Sequence, residues 1–258
     1  MVYPELKITF LGTGTSSGIP MIGCSCAVCT SDNSKDKRLR SSILVQSKET
    51  TLVVDTTPDF RYQMLRENVK DLHAVLITHH HKDHIAGLDD IRAFNYFSGK
   101  TMQVYATEPS QEALKREFSY IFSEKKYPGI PKIHLNTIES EPFTVGDILI
   151  QPIHLMHLNM PVLGFRFGKF TYITDANFIS AIELEKIRSS ECLVLNALRN
   201  EPHISHFSIP EAVALAEALE IKQTWLTHMS HQAGKHDDVN MYLPKNVQLS
   251  FDGLNFKI

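Results

Sequence analysis

Residues His79-His80-His81-Lys82-Asp83-His84 read as H-x-H-x-D-H. Imidazole nitrogen and carboxylate oxygen both bind zinc and manganese readily. Four imidazoles and a carboxylate within one short stretch, three of the imidazoles at the pattern's fixed positions, would be a costly way to fill a core. His79 and His81 stand two apart, so on extended backbone both side chains point the same way. Asp83 and His84 can then reach a second position further along. One loop can therefore serve two metals; the alternative is a solvated His-rich loop. His80 occupies a spacer position and should face away from the metals, toward solvent or substrate.

Other metal-binding residue types follow apolar runs elsewhere in the chain: His157 after Leu155-Met156, Asp175 after Ile173-Thr174, and His228 after Leu226-Thr227. A carboxylate such as Asp175 can bridge two metals with one oxygen on each, and the remaining imidazoles would complete the two coordination spheres. A second constellation, Cys24-Ser25-Cys26-Ala27-Val28-Cys29, reads C-x-C-x-x-C. Three soft ligands this close suit a structural zinc, which wants four. Cys192, in Glu191-Cys192-Leu193-Val194-Leu195, looks like a core strand residue. A distant histidine is therefore the better fourth ligand, with His231 and His236 competing. Three reduced buried thiols or a redox cluster are the other readings of the trio.

These residues need elements to hold them. Ala74-Val75-Leu76-Ile77-Thr78, just before the histidine run, is an apolar β-branched stretch typical of a buried strand, and Ile85 to Phe94 turns helical. The metal candidates thus sit at the carboxyl end of a buried strand, where open α/β sheets place their sites. Further strands are expected at Lys7–Leu11, Ser42–Gln46, Thr51–Asp55, Met102–Ala106, Phe143–Val145, Ile148–Ile150, Val162–Phe167, Phe170–Thr174, Leu193–Leu195 and Thr224–Thr227. Gly146-Asp147 and Gly168-Lys169 read as hairpin turns. Helices are expected after Pro58 and over Glu108–Phe122, Ile179–Arg188 and Pro210–Glu220. Strands dominate both halves with helices interspersed, which predicts an α/β protein of two sheets packed face to face with helices outside, an αββα four-layer sandwich.

The chain has 258 residues, 43% of them hydrophobic, enough for a large core, and residues 1–258 read as one domain. A net charge of −3 gives no general field for polyanions. No apolar stretch approaches the ~20 residues of a membrane span. Met1-Val2-Tyr3-Pro4 opens without a basic segment and apolar run, so no signal peptide is expected. Crowded cysteines do not look like a disulfide framework, and a reducing cytoplasm fits best.

H-x-H-x-D-H followed by His, Asp and His at later strand ends resembles the metallo-β-lactamase superfamily of hydrolases. The resemblance implies that His79, His81 and His157 hold one metal, that Asp83, His84 and His228 hold the other, and that Asp175 bridges them. His157 suits the family's ligand position better than His154, which reads as packed or hydrogen-bonded. Asp55 looks like the buried carboxylate that supports the histidine loop in this superfamily, an ordinary strand-end aspartate being the other reading; Asp59 reads as a helix N-terminal residue. The cysteine trio with His231, three residues beyond His228, resembles the PhnP-type cyclic phosphodiesterases, which carry a structural zinc of Cys3His type; here that implies Cys24, Cys26, Cys29 and His231. The turn Gly12-Thr13-Gly14-Thr15-Ser16 resembles the opening of this branch and lacks the Lys-Ser/Thr ending of a P-loop.

The implied activity is metal-dependent hydrolysis of a small phosphodiester, cyclic ones such as a ribose cyclic phosphate included, by a hydroxide bridging two divalent ions (zinc or manganese). Asp83 would orient or deprotonate the nucleophile. His206, in the loop Pro202-His203-Ile204-Ser205-His206, resembles the family's general acid in its spacing ahead of His228. A lactone or thioester hydrolase on the same dinuclear site is the alternative. A tRNA-processing nuclease is disfavoured because no Gly-rich basic arm is present: Lys125-Lys126-Tyr127-Pro128-Gly129 is only a short basic loop. A metal-binding module without catalysis would not need a complete two-metal ligand set. The expected partner is a small phosphodiester substrate, with no membrane and no nucleic acid, and the resemblance implies a homodimer.

Overall fold

The computed structural model describes residues 3–124 and 127–258. Lys125 and Lys126 of the short basic loop lie outside them. Among the described residues, the first sheet contains β1 (Lys7–Gly12), β2 (Ser42–Gln46), β3 (Thr51–Val54), β4 (Ala74–Leu76), β5 (Met102–Ala106) and β6 (Ile133–Thr137). The second contains β7 (Phe143–Val145), β8 (Ile148–His157), β9 (Met160–Phe167), β10 (Phe170–Tyr172), β11 (Phe178–Ile179), β12 (Cys192–Asn196), β13 (Gln223–Thr227) and β14 (Val247–Leu249). The last strand, β15 (Asn255–Lys257), returns to the first sheet, whose order is β15-β1-β2-β3-β4-β5-β6. The second runs β11-β8-β9-β10-β12-β13-β14, with β7 paired to β8 beside it.

Strand alternation explains the layering. Leu52 and Val54 of β3 point between the sheets, where they meet Phe165, Phe167, Phe170 and Tyr172, while Val53 points to the opposite face. In β12 Val194 faces the same inner core, and Leu193 and Leu195 face outward. Both sheets are therefore apolar on both faces, as strands buried on two sides must be. Each outer face is covered by helices: α1 (Phe60–Arg66), α2 (Lys82–Ile85), α3 (Arg92–Ser98), α4 (Glu108–Glu117) and α5 (Ser119–Phe122) accompany the first sheet. The second carries α6 (Ala181–Arg188) and α7 (Ile209–Ala218), with the short α8 (His236–Asn240) beside β14. Helix, sheet, sheet and helix make the four layers expected from the sequence. Burying a side chain as completely as Phe165 contributes about 2–3 kcal/mol. No helix among the described residues is long and apolar enough to cross a membrane.

Several elements differ from the sequence expectations. β8 runs on from Ile150 to His157, through Pro152 and His154, because pairing with β9 continues to His157↔Met160. The helix expected over Glu108–Phe122 breaks at Phe118, whose φ of −116° and ψ of 42° leave the helical region; the break turns Ile121 and Phe122 back onto the core of the first sheet. Ile179 is not helical but pairs with Leu155 in β11, and α6 starts later, capped by the Ser180 hydroxyl. β6, β11, β14 and β15 have no counterpart in the sequence expectations: β6, β14 and β15 are short and carry polar or charged residues that weaken the apolar signal, and β11 is only two residues long.

Candidate metal centre and active site

The ends of β3, β4, β8, β10, β12 and β13 meet at one edge of the sandwich. Each candidate side chain leaves its strand there. Asp55 follows β3, Asp175 follows β10, His228 follows β13, and Leu158 follows His157 at the end of β8; all four take left-handed backbone, with φ of 66°, 53°, 59° and 55°. Such conformations cost a non-glycine residue about 1–2 kcal/mol each, and they cluster where a fold must aim side chains. Asn196, at the end of β12, holds the turn after Asp175: its Oδ1 accepts from Ala176 N–H and its Nδ2 donates to Ala176 O, both at 2.9 Å.

Asp83 and His84 lie on the short helix α2 rather than on a loop, with His81 as its N-cap. The segment is stitched to Asp55–Thr57: Thr56 N donates to His84 O at 2.8 Å, and Gly87 N to Thr56 O at 2.9 Å. Gly87 allows this approach, since a Cβ there would lie 2.2 Å from Thr57 O.

All the residues named for two metals converge. Donor atoms of Asp83, His84, Asp175 and His228 lie within 4.8 Å of one another, as do those of His79, His81 and Asp175, and those of His157, Asp175 and His206. Asp175 is common to all three groups. Its Oδ2 stands 3.7 Å from His79 Nε2 and 3.4 Å from His84 Nε2, and its Oδ1 2.8 Å from His228 Nδ1. One oxygen thus faces both the His79 and His84 sides, where the sequence led us to expect one oxygen for each. Further pairs are His84 Nε2 to Asp83 Oδ2 at 3.2 Å and His79 Nε2 to His81 Nδ1 at 3.1 Å. Ligands about 2.1 Å from one ion stand about 3.0–3.4 Å apart; the His84–Asp175, His84–Asp83 and His79–His81 spacings fall in that range, and the 3.7 and 2.8 Å pairs lie just outside it. The His157 ring centroid lies 5.2 Å from that of His81 and 5.8 Å from that of His79.

The outer nitrogens are occupied. His84 Nδ1 donates to Asp55 Oδ2 at 2.7 Å, His157 Nδ1 donates to Ser205 O at 2.7 Å, and His79 Nδ1 lies 3.0 Å from Thr78 Oγ1. Asp55 also accepts from Thr78 N–H and Thr78 O–H, both at 2.8 Å, and is fully buried. It is thus the buried support of the histidine run, not a solvated strand-end residue. Thr15, from the glycine turn, places its hydroxyl 3.2 Å from His228 Nε2, and that turn pairs with Met229 through two backbone bonds. Nε2 of His79, His84 and His157 is left facing inward. His84 Nε2 is buried and, although close to two carboxylates, makes no hydrogen bond.

The electrostatics call for a cation. Burial opposes charge on His84, but Asp175, Asp55 and Asp83 overcome it and hold His84 well above the usual histidine range. Burial likewise raises Asp175, yet His228 and His84 bring it well below the carboxylate range. Asp83 behaves the same way, with burial outweighed by His84. The protein alone gathers three carboxylates around one imidazole; a dication at the unpartnered Nε2 would offset most of their charge. The donor set fits divalent metal.

His206 stacks on His228, with centroids 5.0 Å apart, and lies tilted beside His157 at 4.7 Å. Burial, followed by the charge of His228, lowers its pKa to about 3. His203 stands beside it at 5.3 Å, farther from the ligands. His80 turns outward toward Ser110, 3.5 Å away, and His154 lies by Ser140, outside every ligand group. Asp59 does not cap α1 with its side chain; it pairs with Arg40 at 3.2 Å.

The cysteine loop closes on His231. Sγ of Cys24, Cys26 and Cys29 stand 3.2, 3.4 and 3.6 Å from His231 Nδ1. A tetrahedral zinc separates sulfur and nitrogen ligands by about 3.6 Å. The Cys29 N–H, and then the His231 ring, lower the Cys26 thiol to about 6, while burial raises Cys29 to about 11. His236 is elsewhere, between Arg38 and Asn240, and Cys192 is a core residue whose thiol burial raises to about 12. Thr15, Thr78, Asn177 and Asn196 were not singled out from sequence; a Thr or Asn at a strand end is too common to signal a role before its neighbours are known.

The comparisons agree with this geometry. The beta-lactamase superfamily domain model matches residues 50–229. The solved structure of a diphosphatase from the PhnP family superposes with a TM-score of 0.93 at 38% identity, covering 98% of this chain and 97% of that one. An octanoyltransferase of Porphyromonas gingivalis is 35% identical over 252 residues, covering 96% of this chain. This chain spans only 51% of that relative's length. A ribonuclease Z of Prochlorococcus marinus is 26% identical over 189 residues, covering 71% of this chain and 54% of its own. With the two-sheet sandwich, the strand-end histidines and aspartates and these likenesses together, the chain belongs to the metallo-β-lactamase superfamily and, within it, to the PhnP family.

Proposed function

We propose that this chain is a dinuclear metal-dependent phosphohydrolase that cleaves a P–O bond in a small molecule, a phosphodiester (cyclic ones included) or a diphosphate. The observation that carries this reading is the set of three donor groups sharing Asp175, the third of which includes His206, stacked on His228 and tilted beside His157. His79, His81 and His157 would hold one ion and Asp83, His84 and His228 the other, with Asp175 between the two groups. Two divalent ions held there supply an acidified water and charge stabilisation for phosphoryl oxygens. Asp83, whose Oδ2 lies 3.2 Å from His84 Nε2, would orient the nucleophile. Asp55, Thr78 and Ser205 keep the ligand rings in one tautomer. His206 donates the proton that an alkoxide leaving group needs. Burial disfavours charge on His206, and the negative charge of a bound phosphodiester would oppose that shift. Cys24, Cys26, Cys29 and His231 would hold a separate structural zinc and so fix the N-terminal loop.

The diphosphatase relative supports phosphorus as the reacting centre. A second reading, hydrolysis of a carboxyl ester or thioester at the same metals, is favoured by the octanoyltransferase relative. Zinc- or manganese-loaded protein should be assayed in parallel on bis(p-nitrophenyl) phosphate, a ribose cyclic phosphate, a dinucleoside diphosphate, and an octanoyl ester and thioester. Turnover of the phosphorus compounds at least ~100-fold above the acyl compounds is expected; the reverse order would replace this reading with the second.

A further inference from the structure

Among the described residues, His206 has no side-chain hydrogen bond to fix it. Its buried Nδ1 is without a partner there, and the ring stacks on His228 and lies tilted against His157 and His203. Its place must therefore be set through the backbone of its loop. The loop is pinned on both sides of His206: Ile204 O accepts from Asn177 Nδ2 at 3.0 Å, Ser205 O accepts from His157 Nδ1 at 2.7 Å, Phe207 N donates to Ala176 O at 2.9 Å, and Phe207 O accepts from Leu198 N at 2.9 Å. The Asn177 carboxamide reaches two segments at once. Its Oδ1 accepts from Leu158 N–H at 2.7 Å, in the left-handed turn just after His157. Its own N–H donates to Met156 O at 2.9 Å. One side chain, two residues beyond Asp175, thus ties the turn following His157 to the loop preceding His206.

We propose that Asn177 is a positioning residue for the proton donor: its carboxamide sets the distance between His206 and the His157–Asp175 side of the site. The proposal rests on the reading of His206 as general acid. The chemistry of the brace requires an amide, because Leu158 N–H needs an acceptor and Ile204 O needs a donor. Asn177→Asp keeps the first bond and replaces the second with two oxygens facing each other, so it tests the tie to the His206 loop alone.

A displaced acid matters only where the leaving group needs a proton. Loss of a general acid costs ~10²–10⁴-fold, and a misplacement of ~1 Å costs ~10²-fold. N177D should therefore lower kcat ~10–100-fold on a diester with an alkyl leaving group and leave p-nitrophenolate release within ~3-fold, with metal content unchanged. In an H206A background, N177D should add nothing. Equal loss on all leaving groups, or loss of bound metal, would overturn the proposal in favour of a scaffold role. Wild-type behaviour of N177D beside a strongly affected H206A would also overturn it, while an unaffected H206A would locate the failure in the reading of His206. A second measurement needs no substrate. The His206 ring signal in the proton NMR spectrum of zinc-loaded protein, assigned by its absence in H206A, should shift or broaden in N177D. An unmoved signal refutes the brace.

Discussion

Replacing Asp55 with Asn tests how far the metal centre depends on a residue that would touch no metal. Asp55 accepts three hydrogen bonds, from Thr78 N–H and Thr78 O–H at 2.8 Å each and from His84 Nδ1 at 2.7 Å. An amide has one oxygen for these three donors. With that oxygen toward Thr78 N–H, its NH2 group meets His84 Nδ1–H. The imidazole must then move its proton to Nε2, the nitrogen that faces Asp83 and Asp175 and would bind metal. With the amide flipped, the NH2 group meets the Thr78 N–H instead, leaving two donors face to face in a buried site. Either way one charge-assisted bond is lost, worth about 1.5–3 kcal/mol. At about 1.4 kcal/mol per tenfold, affinity at the His84 position should fall ~10–100-fold, in line with the usual effect of removing a ligand's outer partner. Competition against a zinc chelator, followed by metal analysis, measures it, with circular dichroism to show that D55N is folded. A folded D55N that holds its metals with wild-type affinity would refute the argument that Asp55 sets the His84 tautomer.

Two further outcomes can be checked by simpler measurements. Cys29→Ser, at the buried member of the trio, should bind one zinc fewer and melt at lower temperature, by the equivalent of about 4 kcal/mol when free zinc exceeds its dissociation constant a thousandfold; unchanged metal content would remove the structural zinc from the account. Asp252 is raised from 3.8 to about 6 by burial, against the opposing bonds from Leu39 N–H and Thr13 O–H and the charges of Arg66 and Arg38. The folded protein thus favours protonated Asp252, whose contribution is full below pH ~4 and is lost as pH rises through ~6, about 3 kcal/mol at ~1.36 kcal/mol per pH unit. Asp252→Asn lacks this titration, so urea midpoints should show the variant gaining on wild type between pH 4 and 7, and a constant difference would contradict the assignment.

The residues able to bind metal were legible in the chain, because ligand chemistry is a property of residue type and the histidine run is local. The four-layer architecture was legible too, since strands buried on both faces read as continuous apolar runs with alternating destinations, as in Leu52-Val53-Val54 and Leu193-Val194-Leu195. Edge strands such as β6 and β15 were not, because their exposed face erases the pattern. Only the tertiary structure decided how the ligands are held. Asp55, Thr15, Asn196 and Asn177 act through backbone turns and through partners as much as 213 residues away in sequence, as Thr15 and His228 are. An asparagine or threonine becomes a support only when another strand end arrives at hydrogen-bonding distance, and that is a property of the folded sheets rather than of any stretch of chain.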